Sequence, residues 1–540
     1  MSNRASDAEK GVLQSTAKIS LEAASSTASD TLPAPGSLSD VVRPHESYEG
    51  YGHWNPTFEW SAQEESRVVW KIDLYLLTAL CFMFFGLQLD RGNLSNALTD
   101  NLLKDLGNLS TNDYNNGTTI QLVCFLAAEF PVQLLTKRFG FRRVLPILMM
   151  MWSTVSWTQA WMHDRTTFYI TRALIGACEG GFIPGTILFA TYFYKSRELG
   201  TRLAVFWSTL NIARVVSALL AAGILEMRGV GGKPGWFWLF LLEGLLTFAI
   251  GAFCFFYLPQ SPVHTKSVIC PKPWFTEHEE KIMINRLLRD GPAKGLTPIK
   301  EPARLSDIWD AWTDKSMWGM YLLGLIAYIP ATPVQAYLGY NLRVVGGFTT
   351  FQSNMLTTVS AICQVVTMLA LAKSSQWFNE KTWHCFFGEF WILPCLIALQ
   401  TLPDKNMPWE RFALATLTAG YPYFHPILSA WISENSFNVK KRALTAATYN
   451  VIVQVGSLIG SQIYRADDAP YYHRGNKVLI SFCAAALAGI VGQSLWLRWL
   501  NRRKERVWSS MSEADKAQYQ ADNKAREQDG NKRLDFRFAY

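Results

Sequence analysis

Residues 236–258 read WFWLFLLEGLLTFAIGAFCFFYL, an apolar run that contains a single charged residue, Glu243. A helix rises 1.5 Å per residue, so about 20 such residues cross the roughly 30 Å hydrocarbon core of a bilayer. Runs of this kind recur along the chain of 540 residues, and we count twelve of them. We therefore predict an all-α membrane protein with 12 transmembrane helices.

The predicted spans, numbered in chain order, fall into two groups of six on either side of a polar linker. Spans 1 to 6 cover about 72–98, 114–135, 144–162, 168–192, 203–226 and 236–258. Spans 7 to 12 cover about 317–338, 354–372, 383–402, 411–431, 443–463 and 477–498. This pattern predicts an N-terminal tail at 1–70, a first half at 71–258, a linker at 259–315, a second half at 316–498 and a C-terminal tail at 499–540.

The two tails and the linker are polar, and only the linker shows a helical pattern. The N-terminal tail is rich in Ser, Ala, Asp and Pro without periodicity, so we expect it to be disordered. The linker has apolar residues at helical spacing, Met283, Ile284, Leu287 and Leu288, with Arg286 and Arg289 on the opposite side. We predict an amphipathic helix at the membrane surface, with Thr276 as its N-cap and Glu279 completing a capping box.

Lys and Arg in short loops indicate membrane orientation, because they gather on the cytoplasmic side. The loops after spans 2, 4 and 10 and the C-terminal tail are rich in them: Lys137, Arg138, Arg142, Arg143, Lys195, Arg197, Arg202, Lys440, Lys441, Arg442, Arg498, Arg502, Arg503, Lys504 and Arg506. The loops after spans 1 and 3 contain one basic residue each, Lys104 and Arg165. We therefore predict a multi-pass protein with both termini in the cytoplasm.

Composition excludes several other classes of protein. The net charge of +8 comes from basic residues at the ends of apolar runs, which argues against a nucleic-acid partner and leaves the lipid bilayer as the surrounding partner. The nine cysteines form no CxxC pair, and we see no metal-ligand set and no nucleophile–base pair. We expect no enzyme activity, no metal and no cofactor. The oligomeric state stays open.

Ionisable residues deep inside a span are costly, so they are candidates for a functional role. In the first half these residues are Asp90, Arg91, Glu129, Arg172, Glu179, Arg214 and Glu243, and in the second half they are Glu389 and His425. Arg172 and Glu179 are seven residues apart and share one face of span 4. Spans 1 and 4 can thus each point a carboxylate and a guanidinium into a shared space. The alternative is that these charges only neutralise one another in interhelical salt bridges.

An arginine in a low-dielectric cavity is a permanent cation whose planar fork suits carboxylate, sulfonate or sulfate oxygens. A carboxylate beside it can gain or lose a proton as its surroundings change. The anion then binds best when the carboxylates are protonated, so each anion moves together with protons. This combination predicts an anion:proton symporter, in which protons are the coupling ion.

Several motifs carry a resemblance to known transporters. The loop KRFGFRR at 137–143 resembles the loop that major facilitator transporters have after their second span, although Lys137 stands where an aspartate is usual. More specific are QLDRGNLSNA at 88–97, RALIGACEGGFIP at 172–184, GWFWLFLLEG at 235–244, WISEN at 431–435 and DAPYY at 468–472. Together they resemble the fungal allantoate permease family of the anion:cation symporter group. The resemblance covers residues 65–500.

The resemblance implies a major facilitator fold, in which two six-helix halves surround a central cavity and rock by alternating access. It implies that Arg91 binds the anion, that Asp90 and Glu179 carry protons, and that Arg172 is a charged neighbour. Spans 1, 4, 7 and 10 would line the cavity, with Tyr328, Gln335, Tyr421, Tyr423 and His425 on the wall of the second half. Each of these five has a packing role as its alternative. We expect Pro330, Pro333, Pro422 and Pro426 to loosen spans 7 and 10.

Arg214 is not part of the general family pattern, and it bears on the substrate. It either pairs with Glu129 or another carboxylate, or faces the cavity, where a second cation would favour a doubly charged oxyanion. The sequence is also similar to the family's sulfate and sulfonate permeases. The predicted protein imports sulfate, a sulfonate or an organic carboxylate such as allantoate, pantothenate or nicotinate through the plasma membrane. A nutrient-sensing transceptor and a drug/proton antiporter are the alternatives.

Overall fold

The computed structural model describes residues 50–55, 57–290, 309, 312–404, 407–436, 439–513, 515–516, 519 and 530–540. All regular secondary structure within these residues is helical. Most of the tail predicted at 1–70 and part of the linker predicted at 259–315 lie outside the described residues. The all-α fold class is confirmed.

Spans 1 to 6 form helices close to their predicted positions. In chain order these are Ala62–Asp100, Thr111–Phe139, Phe141–Thr158, Arg165–Thr191, Ser196–Leu225 and Gly235–Tyr257. Span 1 begins earlier than predicted, because Ser61 and Glu64 form a capping box inside the predicted tail. Span 4 is interrupted at Gly180 and Gly181, where Gly181 has a φ of +78° that glycine adopts without strain.

Spans 7 to 12 are also helical, and two of them are broken. Span 7 consists of Trp318–Ile326 and Thr332–Val344, and span 10 consists of Pro408–Ala419 and His425–Asn435. Spans 8, 9, 11 and 12 are Thr350–Phe378, Thr382–Thr401, Val439–Ser461 and His473–Ser510. The breaks lie at the predicted prolines, which lack an N–H for the helical hydrogen bond.

Seven helices in the described residues are long and apolar enough to cross a membrane by themselves. They are Ala62–Asp100, Arg165–Thr191, Val205–Leu225, Gly235–Tyr257, Thr350–Phe378, Thr382–Thr401 and His473–Ser510. The other predicted crossings, spans 2, 3, 7, 10 and 11, are helical and pack within the same bundle. The total of twelve crossings stays a prediction.

The linker helix, Glu277–Asp290, has the predicted capping box but not the predicted exposure. Thr276 and Glu279 exchange the two capping hydrogen bonds. Arg286, predicted on the outer side, is fully buried and donates to Glu198 Oε1 at 3.0 Å and to the Phe193 carbonyl at 2.8 Å. The helix packs against the ends of spans 4 and 5, and these acceptors draw the guanidinium inward. The prediction that Arg286 lies opposite the buried face is therefore wrong.

Spans 2 and 4 approach so closely that their contact requires glycine. A Cβ atom on Gly176 would overlap the carbonyl oxygen of Gln121, which is main chain and cannot move aside. By contrast, a Cβ atom on Gly223 in span 5 would meet no atom within 4 Å. The close contact brings the charged face of span 4 against span 2.

Replacing Gly176 with alanine should therefore destabilise the fold, with a cost of about 3 kcal/mol from overpacking against the main chain. The melting temperature of the purified protein in detergent measures this cost. Gly223→Ala is the matched control and should leave the melting temperature unchanged or slightly higher. Equal melting temperatures for the two variants would contradict the packing described here.

The two halves meet at the far face, which we define as the side of the bundle opposite the linker helix. Asn354 Nδ2 donates to Thr99 Oγ1 at 2.7 Å, and Asn115 Nδ2 donates to the Tyr464 carbonyl at 2.6 Å. Tyr337 donates to Asn115 Oδ1 at 2.6 Å. Most of the described hydrogen bonds between the halves lie here, so the structure is closed at the far face.

Candidate functional site

A polar cavity of about 460 Å³ lies between the two halves, below the closed far face. Its lining residues come from both halves: Gln88, Arg91, Gly92, Ser95, Asn96, Tyr114, Leu210, Arg214, Ser217, Ala218, Thr332, Gln335, Ala336, Leu338, Gly339, Thr357, Ser360, Ala361, Gln364, Ala419 and Ser457. Two of these described lining residues are arginines, and none carries a carboxylate. The walls therefore combine apolar and neutral polar residues with two guanidinium cations.

Arg91 and Glu179 form an ion pair at the edge of this cavity. Arg91 Nε donates to Glu179 Oε2 at 2.8 Å, and the guanidinium also lies over the ring of Phe125. Glu179 is 1% exposed, whereas the Arg91 side chain is 28% exposed toward the cavity. The other Glu179 oxygen, Oε1, has no partner among the described residues. The sequence placed charges of spans 1 and 4 in a shared space, and the structure joins Arg91 and Glu179 there in a salt bridge between the two helices.

Asp90 lies on the other side of span 1, away from the cavity lining. Its carboxylate accepts from Trp152 Nε1 at 3.2 Å and from Ser156 Oγ at 3.0 Å. Neighbouring residues of a helix point about 100° apart, so Asp90 and Arg91 cannot share one face. Asp90 therefore sits between spans 1 and 3, and any proton that it carries lies outside the cavity lining.

A second carboxylate, Glu243 in span 6, lies near Asp90 behind span 1. The Asn93 side-chain nitrogen donates to Glu243 Oε2 when its amide is oriented to suit both groups. Glu243 is 1% exposed, and its Oε1 has no partner among the described residues. Sequence reasoning recognised Glu243 as an ionisable residue deep in span 6 but assigned it no role.

Arg172 is buried between spans 2, 3 and 4. It donates to the side-chain oxygens of Gln159 and, at 3.4 Å, of Gln121. The guanidinium also lies 6.0 Å from the ring centroid of Phe168. Its described partners are thus neutral amides, and it does not reach the cavity lining.

Arg214 lies on the cavity wall, exposed to the cavity. Its NH1 donates to Gln364 Oε1 of the second half at 2.5 Å, and no described carboxylate forms an ion pair with it. Gln364 and Gln335 both donate to the carbonyl of Ala419, which the break in span 10 leaves free of a helical partner. Arg214 therefore keeps its full positive charge in the cavity.

Glu129, the carboxylate considered as a partner for Arg214, lies elsewhere. It is half-buried in span 2 and makes no hydrogen bond or ion pair in the described part of the chain. The alternative of an Arg214–Glu129 pair does not occur in this structure. Arg172 and Glu129, which were predicted as a charge network, therefore form no ion pair with each other, and neither lines the cavity.

The second-half residues predicted on the cavity wall fall into two groups. Gln335 lines the cavity as predicted. Tyr328 and His425 bond to a residue that sequence reasoning missed, Tyr449 of span 11, at 2.9 Å and 3.1 Å. They form an aromatic cluster with Tyr421 and with Tyr423, which stacks on His425. These four residues lie outside the cavity lining, and Tyr449 gave no signal because a tyrosine in a span is common.

Comparison with known proteins identifies the family. The Major Facilitator Superfamily matches residues 80–461. An uncharacterized transporter of Saccharomyces cerevisiae is 38% identical over 495 residues, which cover 91% of this chain and 90% of the relative. A candidate tartrate transporter of Agrobacterium vitis is 28% identical over 406 residues, which cover 73% and 84%.

Among solved structures, a bacterial homolog of the human lysosomal transporter Spinster, inward-facing and unoccupied, has a similar fold. Its TM-score is 0.61 at 14% sequence identity, and the match covers 81% of this chain and 98% of that chain. The predicted major facilitator fold is thereby confirmed. This chain belongs to the Major Facilitator Superfamily and is a multi-pass membrane transporter.

Proposed function

We propose that this transporter imports a small anion together with protons by alternating access. The observation that carries the proposal is Arg214, a cation on the cavity wall without a described carboxylate partner. An uncompensated charge in a low-dielectric site is costly, so it is expected where a ligand of opposite charge completes the site. Arg91 adds a second guanidinium to the same cavity.

Two positive groups in one cavity favour an anion that can contact both. Guanidinium forks bind carboxylate, sulfonate and sulfate oxygens in a bidentate manner. We propose sulfate or a sulfonate, or an organic carboxylate such as allantoate, pantothenate or nicotinate, in line with the resemblance to the allantoate permease family. The similarity to a candidate tartrate transporter, which is named for a carboxylate substrate, supports an anion in general.

The ion pair between Arg91 and Glu179 supplies the proposed coupling. When Glu179 is ionised, it neutralises Arg91 across 2.8 Å, and the anion meets less positive charge. Protonation of Glu179 releases Arg91, so the anion and the proton bind together. Asp90 and Glu243 behind span 1 provide two further buried carboxyl groups for proton transfer. While the far face is closed, the cavity of such a transporter exchanges substrate with the linker side of the membrane.

One uptake screen tests the class of substrate. Cells that lack the gene and cells that express it would be compared for accumulation of labelled sulfate, sulfonates, allantoate, pantothenate and nicotinate, with and without a protonophore. We expect accumulation of one anion class that the protonophore abolishes. A nutrient-sensing transceptor would accumulate none of them, and a drug/proton antiporter would move neutral or cationic compounds even without Arg91.

Surface labelling in the same cells would test the proposed plasma-membrane location with cytoplasmic termini.

Replacing Glu179 with glutamine should separate exchange from accumulation. The variant keeps the size of the side chain but can no longer cycle a proton, so counterflow exchange should persist while uptake against a gradient is lost. The measurement is uptake under an imposed proton gradient beside counterflow in the same vesicles. Glu389→Gln is the control, because Glu389 is a fully buried carboxylate that does not line the cavity. Full accumulation by the Glu179 variant would exclude its proton role.

A further inference from the structure

The C-terminal end of the chain is folded onto the second half. Residues 531–540 pack at the side of the bundle opposite the far face, against spans 10 and 12 and the residues before span 7. Asn531 and Arg533 are each 1% exposed and Phe538 is 5% exposed. This burial exceeds what a solvated polar tail would show, so the segment occupies a specific site.

The site recognises the main chain of the segment. Trp431 Nε1 donates to the Ala539 carbonyl at 2.8 Å, and Asn435 binds both the N–H and the carbonyl of Ala539, at 2.9 Å and 3.1 Å. Asn501 of span 12 does the same for Phe538, at 2.9 Å and 2.8 Å. The first and last residues of the WISEN motif, which the transport site does not use, thus serve to hold the C terminus.

Charged and polar groups complete the contact on either side. Lys504 donates to the carbonyls of Asn531 and Phe536, at 2.6 Å and 3.2 Å, and its ammonium lies 4.3 Å from the centre of the Phe538 ring. Asn531 Nδ2 donates to Asp314 Oδ2 at 2.7 Å. The segment therefore connects the linker-side ends of spans 7, 10 and 12.

The position of these contacts matters because the linker-side part of span 10, which we call its lower helix, is separate from the rest of the span. His425–Asn435 is divided from Pro408–Ala419 by five non-helical residues that include Pro422. Such a break lets one part of a span change its angle while the other stays in place. The C-terminal segment holds the free end of this lower helix at Trp431 and Asn435.

We propose that residues 531–540 act as a latch that binds the lower helix of span 10 and stabilises the arrangement closed at the far face. The occupant of the site is the chain's own C terminus. Release of the latch frees the lower helix and shifts the transporter toward arrangements closed at the opposite side. The latch acts on the conformational cycle, and its effect does not depend on which substrate is transported.

The first test asks whether the segment is docked in solution. Trypsin cleaves after lysine and arginine; Lys532 and Arg537 are exposed in the docked segment, whereas buried Arg533 is protected only while the segment is bound. Asn435→Leu removes the two contacts of Asn435 to Ala539, and Trp431→Phe removes the indole donor. We expect cleavage after Arg533, followed by mass spectrometry, to be at least about tenfold faster in each. Trp499→Phe is the matched control, because Trp499 is 48% exposed on span 12 and contacts no latch residue. Equal cleavage rates in all variants would overturn the docking.

The second test asks whether docking sets the conformation. Ser95, which lines the cavity, is replaced by cysteine in a background without the nine native cysteines, and alkylation is measured from the linker side. Asn435→Leu and a chain ending at Gly530 should each lower the alkylation rate at least about threefold. Adding a peptide of residues 531–540 should restore the rate for the shortened chain, which also shows that this chain is folded. Unchanged alkylation in variants whose tail trypsin releases would overturn the latch.

Discussion

Replacing Arg91 with alanine should lower anion uptake about a hundredfold, and replacing it with lysine should be almost as damaging. The structure explains why lysine should fail. Nε of the Arg91 guanidinium donates to Glu179, and the rest of this planar group remains available to a substrate in the cavity. A lysine has one nitrogen, which cannot serve Glu179 and hold two anion oxygens in the same plane. Loss of a buried charge contact costs about 3 kcal/mol, so kcat/KM for uptake should fall about a hundredfold in both variants.

The uptake kinetics must be separated from folding, because the alanine variant leaves Glu179 buried without its cation. The double variant Arg91→Ala with Glu179→Gln removes that unpaired charge, and it should regain normal surface expression without regaining uptake. Arg165→Lys is the control for the substitution itself, because Arg165 pairs with Asp113 at the exposed start of span 4. A lysine variant with near-normal affinity would mean that charge alone suffices and that bidentate binding by Arg91 is wrong.

Sequence reasoning placed charged residues of spans 1 and 4 in a shared space but did not say which of them would pair. A charge in a span is costly, which marked these few residues as candidates, and the seven-residue spacing of Arg172 and Glu179 defined one face of span 4. The same reasoning could not tell that Arg172 turns to glutamines. Neutral amides such as Gln121 and Gln159 are frequent in spans and carry no charge signal.

The orientation of Asp90 was also beyond the sequence, although its depth was not. Its partners Trp152 and Ser156 come from span 3, which has no ionisable residue in its buried part. The rotation of span 1 about its own axis decides whether Asp90 or Arg91 faces the cavity, and packing sets that rotation. The prolines of span 10 predicted the break in the helix, but the role of the freed Ala419 carbonyl as an acceptor for Gln335 and Gln364 needs the tertiary structure.

Replacing Arg214 with glutamine should weaken a dianion such as sulfate more than a monoanion. At an effective dielectric near 20, removing a charge about 5 Å from the substrate costs roughly 3 kcal/mol per substrate charge before solvent screening. The preference for dianions over monoanions should therefore fall by up to about a hundredfold in affinity. The measurement is the ratio of competition constants for the two classes in the variant and in the wild type, at equal surface expression.

Gln364→Glu tests the same charge without touching Arg214. The new carboxylate would stand where Gln364 Oε1 now accepts from Arg214 at 2.5 Å, and the resulting ion pair would cancel the positive charge in the cavity. We expect the same loss of dianion preference as in Arg214→Gln, whereas Gln352→Glu at the exposed start of span 8 should change nothing. Because the two variants alter size and hydrogen bonding differently, only their shared loss of charge explains a shared effect. Unchanged ratios in both would show that Arg214 serves the contact between the halves, and the case for a doubly charged substrate would then fail.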